Sequence, residues 1–195
     1  MSRLPPIDPA TYTEPQHALA ASLATRPEVV AHGIVGPFAA MMHAPEMGAD
    51  LTALGARIRF GASLPANATE VAICTAGAFY RAKFEFAAHR AMALRAGVDE
   101  GALDRLAGGD DPGFEGDEAA AHAVASELLR DHGISEATYQ GAEARFGPQG
   151  MVELVTTIGY YTLVSMMLNG FEIGLAPGMA DPFPDDGPRK PPVVS

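Results

Sequence analysis

The sequence has no tryptophan, one cysteine and few positive charges, and each shortage excludes a class of chemistry. Without tryptophan, and with 7% aromatic residues, there is little from which to build a base-stacking platform for nucleic acid. The lone Cys74 rules out an internal disulfide, a Cys-x-x-Cys redox pair and a thiolate zinc site, and it is expected to be a small buried hydrophobe. Thirteen Lys+Arg against 24 Asp+Glu leave a net charge of −11. That field repels polyanions, so neither nucleic acid nor an anionic membrane surface is an expected partner. The opening residues, Met1 to Asp8, hold no apolar stretch of the signal type, and a cytoplasmic location is the default expectation. The loops GxGxxG, GxxxxGK[ST] and GxSxG are missing, as is HExxH, so dinucleotide, P-loop, nucleophile-elbow and zincin chemistry all lack their sequence mark.

What is present is a chain of 195 residues, 48% hydrophobic and 19% charged, enough for one globular domain. Prolines crowd both ends: Pro5, Pro6, Pro9 and Pro15 at the front, and Pro177, Pro182, Pro184, Pro188, Pro191 and Pro192 at the back. Proline interrupts helices and sheet ladders alike, so the expected layout is an arm and first helix over 1–35, an all-α domain over 36–175 and a tail over 176–195.

Between the arms, helical stretches alternate with short Gly/Pro/Asp punctuation. Starts are signalled at Pro45-Glu46, at Asn67 or Thr69, at Asp117-Glu118 and at Ser135. Gly61, Gly97, Gly133 and Gly147 are expected left-handed stops, and Asn169-Gly170 the cap of the last helix. The acidic run Asp110, Asp111, Glu115, Asp117 and Glu118 lacks calcium-loop spacing and reads as a solvated loop feeding a helix amino terminus. Met151 to Leu168 carries one charge, Glu153, and approaches the ~18 residues of a membrane span. Thr156, Thr157, Tyr160, Tyr161 and Ser165 make it polar for an anchor, and it reads as a core helix.

The stretch from Ala68 to Gly97 is the informative one. Read as a helix, it sets Arg81, Glu85 and His89 four apart on one face, beside an apolar stripe of Phe84, Ala88 and Ala91. A carboxylate one turn from an imidazole can orient the ring and raise its basicity, giving an acid/base group that titrates near neutral pH. The same spacing also serves an ordinary surface contact, and spacing alone favours that simpler reading. The apolar, alanine-rich setting shifts the weight, because ionisable groups buried there must be paired.

Glu70, followed by Glu85 and His89 and then Ala91 to Gly97, resembles the motif region of the carboxymuconolactone decarboxylase and AhpD-like alkylhydroperoxidase superfamily. Pro45 to Leu64 resembles the upstream helix pair of that family, and Glu153 to Leu168 its closing helix. The peroxidase branch needs two cysteines where this chain has Ala82 and Glu85. Phe84-Glu85-Phe86-Ala-Ala-His89 is instead similar to the Tyr-Glu-Trp-x-x-His of non-redox members. The resemblance implies an AhpD-like helical bundle, a trimer or hexamer with its site near a subunit interface, and no cofactor. It implies cofactor-free decarboxylation or isomerisation of a small carboxylate or lactone. In that reading His89 is the acid/base, Glu85 orients it and Glu70 is a second relay. Arg81 or Arg90 holds a substrate carboxylate, Tyr80 and Tyr161 are hydroxyl donors alongside Tyr160, and His43 is a further binding candidate.

Two other classes stay open. Glu70, Glu85, His89 and His43 could converge on a metal ion in a hydrolase or hydratase, or the chain could be a catalytically silent ligand-binding oligomer.

Overall fold

A computed structural model describes residues 2–184; of the expected tail, Pro188, Pro191 and Pro192 lie outside them. The described residues form nine α-helices: α1 (Glu14–Leu23), α2 (Pro27–His32), α3 (Pro37–Met41), α4 (Pro45–Gly61), α5 (Ala66–Phe79), α6 (Lys83–Arg95), α7 (Glu100–Gly108), α8 (Gly116–Asp131) and α9 (Glu136–Gly170). The expected all-α bundle is what the chain builds, with no strand among the described residues. Proline opens helices here as well as ending them. Pro15, Pro27, Pro37 and Pro45 sit in the first turns of α1 to α4, where a missing N–H removes no intrahelical hydrogen bond.

The bundle is organised around α5, which packs against α6, α8 and α9 and is buried without interruption from Ala68 to Ala78. Small side chains make this enclosure possible. Ala68, Ala72, Ile73 and Ala76 meet Ala121, Val124 and Ala125 of α8 and Leu154 and Ile158 of α9. On the opposite side Val71 and Cys74 join Phe86 and Ala93 of α6. Cys74 is thus the buried hydrophobe it was expected to be, and burial, with the charges of Glu70 and Glu85 adding, pushes its thiol well above the ordinary range.

The sequence reading of Ala68 to Gly97 as one helix is corrected. The chain breaks at Tyr80–Ala82, where Arg81 takes a left-handed φ of 50°, Ala82 N–H donates to Gly77 O and Arg81 N–H to Ala78 O. This is a Schellman stop made without glycine. Distant groups hold the arginine in that conformation: Arg81 Nη1 donates to Ala107 O at 2.5 Å and its guanidinium lies 4.0 Å from the Phe183 ring centroid. The result is an antiparallel hairpin of α5 and α6.

Other boundaries also move. α5 begins at Ala66, and Asn67, expected to start it, instead donates to Glu118. Gly97 (φ 91°) and Gly147 (φ 64°) are left-handed as expected, whereas His132 (φ 59°) takes that conformation in place of Gly133. α4 runs through Gly61 and stops at an extended Ala62, one helix where a pair was expected before Leu64. Phe171 rather than Asn169-Gly170 caps α9, while Asn169 Nδ2 donates to Tyr80 O. Ser135 does cap α9, its hydroxyl accepting from Thr138 N–H.

Gly147 kinks α9 and Pro148 restarts it. The second half is long and apolar enough to cross a membrane, yet it buries Met151, Leu154, Ile158, Tyr161, Val164 and Leu168 in the bundle. Its one charge ties down the α4–α5 loop: Glu153 accepts from both N–H and hydroxyl of Ser63, at 2.8 and 2.7 Å. Its outer face leaves Val152, Val155, Leu163 and Met166 exposed in a single stripe. The acidic loop behaves as read, with Asp117 and Glu118 in the first turn of α8.

Candidate active site

The α5–α6 hairpin folds Glu70 back onto His89, a pair 19 residues apart in sequence. Glu70, Glu85 and His89 are 9%, 3% and 5% exposed, so each charge needs a partner. His89 supplies it to both carboxylates. Its Nδ1 hydrogen-bonds Glu70 Oε2 at 2.6 Å, and its Nε2 lies 3.1 Å from Glu85 Oε1, one turn earlier on α6. Burial pulls the His89 pKa down, but the charge and hydrogen bond of Glu70, reinforced by those of Glu85, outweigh it and raise the group to about 9. At neutral pH the ring is therefore an imidazolium with both N–H groups turned to carboxylates, tightly on the Glu70 side and more loosely on the Glu85 side.

Tyr161 of α9 completes the setting. Its ring stands edge-on to His89, centroids 4.8 Å apart at 74°, and packs the same way on Tyr160. Burial, with the Glu85 charge, keeps the Tyr161 hydroxyl protonated far above the ordinary range.

Glu85 and His89 open onto a cavity of about 290 Å³ whose apolar walls include Phe38, Met41, Phe84, Met92 and Val164. Glu70 is not on its wall and acts from behind the ring. Tyr160 lines the cavity beside Gly55, where a Cβ would lie 2.6 Å from the tyrosine hydroxyl, so the glycine is what lets the phenol tip approach α4. The Tyr160 hydroxyl is pushed up to about 12, by burial first and then by Glu85, against the opposing charges of Arg26 and Arg59.

The structure thus brings together Glu70, Glu85, His89, Tyr160 and Tyr161 from the sequence reading, but not Arg81, Arg90, Tyr80 or His43. Arg81 lies in the α5–α6 turn against Ala107 and Phe183, off the Glu85–His89 face. Arg90 points outward to Glu100 and Asp104, at 2.9 and 2.7 Å. Tyr80 packs against the α5–α8–α9 core. His43 sits under the N-terminal arm, its Nε2 3.1 Å from Pro5 O, so it does not converge with the trio on a metal. No group of three or more His, Cys, Asp and Glu among the described residues is arranged to hold one.

The basic residues on the cavity wall are instead Arg26, Arg59 and Arg95, with His32. Sequence reasoning missed them. Arg95 had a signal, since Glu85, Ala88, Met92 and Arg95 follow the helical period on one face of α6 whereas Arg90 lies about 180° from the middle of that face. Arg26 and Arg59 had none, because they reach the site from α4 and from the turn before α2.

No protein-family description matches the sequence, and no curated protein matches it. Solved structures do resemble the fold. An alkylhydroperoxidase AhpD core, an uncharacterised peroxidase-related protein from Ralstonia eutropha JMP134, superposes with a TM-score of 0.73 at 16% identity, over 90% of this chain and 93% of that one. An uncharacterised peroxidase-related protein from Silicibacter sp. TM1040 gives 0.66 at 12% identity, over 89% and 91%. A protein of unknown function from Agrobacterium tumefaciens, grouped with AhpD antioxidant-defence proteins, gives 0.62 at 15% identity, over 69% and 94%. At these identities the likeness is one of architecture, and the chain has the AhpD-like all-α fold.

Proposed function

We propose that this chain is a cofactor-independent acid/base enzyme, a lyase or isomerase acting on a small carboxylate or lactone. The observation that carries the reading is the buried Glu70–His89–Glu85 arrangement facing a cavity through Glu85 and the Nε2 side of the ring. An imidazolium held there stabilises negative charge developing on a substrate carbonyl oxygen and donates its Nε2 proton to the enolate carbon. In a decarboxylation the carbon–carbon bond breaks, carbon dioxide leaves with neither electron of that bond, and the pair is protonated by His89, which recovers its proton from solvent. In an isomerisation Glu85 removes a proton at one carbon and His89 delivers one at another. Glu70 fixes the ring through Nδ1 and favours its return to the charged form.

The peroxidase-related descriptions of the fold relatives do not carry over by chemistry. Peroxide reduction by a thiol pair needs an accessible thiolate and a resolving partner, and Cys74 is single, buried and held protonated. The metal-dependent alternative lacks a specific observation, since both ring nitrogens of His89 already face carboxylates.

The test is carbon dioxide release from γ-carboxymuconolactone by chelator-treated protein, with His89→Gln and Glu85→Gln alongside. Release that survives chelation and is lost in both variants supports the reading. Release that requires added metal overturns it in favour of the metal-dependent alternative, and release unchanged in both variants removes the acid/base assignment. Assembly with copies of itself is proposed as well: the Val152, Val155, Leu163 and Met166 stripe of α9 is the apolar surface such an assembly would cover, and a sedimentation mass of 20.3 kDa would refute it.

A further inference from the structure

The cavity gathers positive charge in a chain that has little. Against a net charge of −11, Arg26, Arg59 and Arg95 all line this one space, and Glu85 is the only carboxylate among the described residues on its wall. Arg26 is the most telling of the three. Its side-chain partners among the described residues are neutral: Nη2 donates to Thr52 O at 2.9 Å, and the guanidinium lies 5.4 Å from the centroid of Phe38, a cavity wall residue. A guanidinium fixed by a carbonyl and a ring keeps its charge available for an anion. Arg59 also lines the cavity, its Nη2 3.0 Å from the sulfur of Met92.

Tyr160 lines the same cavity, and its hydroxyl feels the opposing charges of Glu85, Arg26 and Arg59. The rest of the wall is largely apolar, around a volume of about 290 Å³.

We propose that Arg26 is the anchor for a ligand carboxylate, so that the cavity selects ligands with an apolar body carrying an anionic group. The proposal rests on the reading of the cavity as the substrate site, but not on turnover.

Binding tests it directly. Benzoate and its neutral isostere benzamide are titrated by calorimetry or by chemical-shift change into the wild type, Arg26→Gln, Arg26→Lys and Arg90→Gln. Benzoate should bind at least about tenfold more tightly than benzamide, since charge-assisted hydrogen bonds to carboxylate exceed neutral ones by that order. Arg26→Gln should remove the difference, Arg26→Lys should restore part of it, and Arg90→Gln, outside the cavity, should leave it in place. Equal binding of the two probes, or undiminished benzoate binding in Arg26→Gln, would overturn the anchor. Inorganic phosphate binding as tightly as benzoate would overturn the apolar-body requirement. Failure of carbon dioxide release bears on the acid/base reading alone, whereas failure of probe discrimination bears on the anchor alone.

Discussion

His89 and Arg90 are neighbours on α6, and each is a cation between two carboxylates. His89 lies between Glu70 and Glu85, side chains 12% and 4% exposed, with its own at 7%. Arg90 lies between Glu100 and Asp104, side chains 66% and 64% exposed. The same pairing pattern therefore occurs once in the interior and once in water, one helix position apart. In water, screening and side-chain entropy cancel most of the attraction. In the interior, desolvation makes the intact trio roughly break even, but removing one member leaves a charge with nowhere to go. The inner arrangement is thus the one that constrains both stability and chemistry.

Removing the inner cation should have the largest effect. His89→Ala leaves two buried carboxylates facing each other and should lower unfolding free energy by ~3–5 kcal/mol in urea denaturation; a loss comparable to that of Arg90→Ala would erase the contrast. Filling the glycine beside the cavity comes next. Gly55→Ala places a methyl against the Tyr160 hydroxyl and should destabilise by about 1–3 kcal/mol while driving the ring into the cavity and weakening ligand binding, which calorimetry would read.

The pH dependence sharpens the comparison further. The folded His89 pKa of about 9 lies above its ordinary 6.5, so its stabilisation is fully present below pH 6.5 and is lost as pH rises through about 9. Thermal unfolding from pH 6 to 10 should show a decline in the wild type that His89→Gln lacks, and a ring titration by NMR near 6.5 would contradict the buried imidazolium. Arg90→Ala should have the smallest effect, ~0.2–1 kcal/mol, and that loss should shrink further in high salt.

The sequence revealed one half of this contrast more clearly than the other. The Glu85–His89 spacing is local, and any helix over that segment creates it. Glu70 is a partner only because the chain turns back at Arg81, and nothing local marks that turn: the left-handed residue is an arginine held by Ala107 and Phe183 from distant parts of the chain. Reading one continuous helix followed from that gap, and it placed Arg81 on the Glu85–His89 face when it belongs to the turn. Arg90 was misplaced for a different reason, since proximity in sequence to His89 says nothing about which face a residue occupies unless the period is followed strictly.

By itself the sequence determined the all-helical class, through its apolar periodicity, its Pro and Ser starts and its lack of alternating strands. It determined the exclusion of thiol-pair chemistry, through its single cysteine, and the core role of the helix after Gly147, through its near absence of charge. Tertiary structure decided which charges meet. Burial decides whether a carboxylate beside a histidine is a surface ornament or a held proton. The walls of the cavity come from helices such as α3, α4, α6 and α9 that are remote in sequence, so the arginines that line it are selected by packing and not by any spacing a linear reading can see.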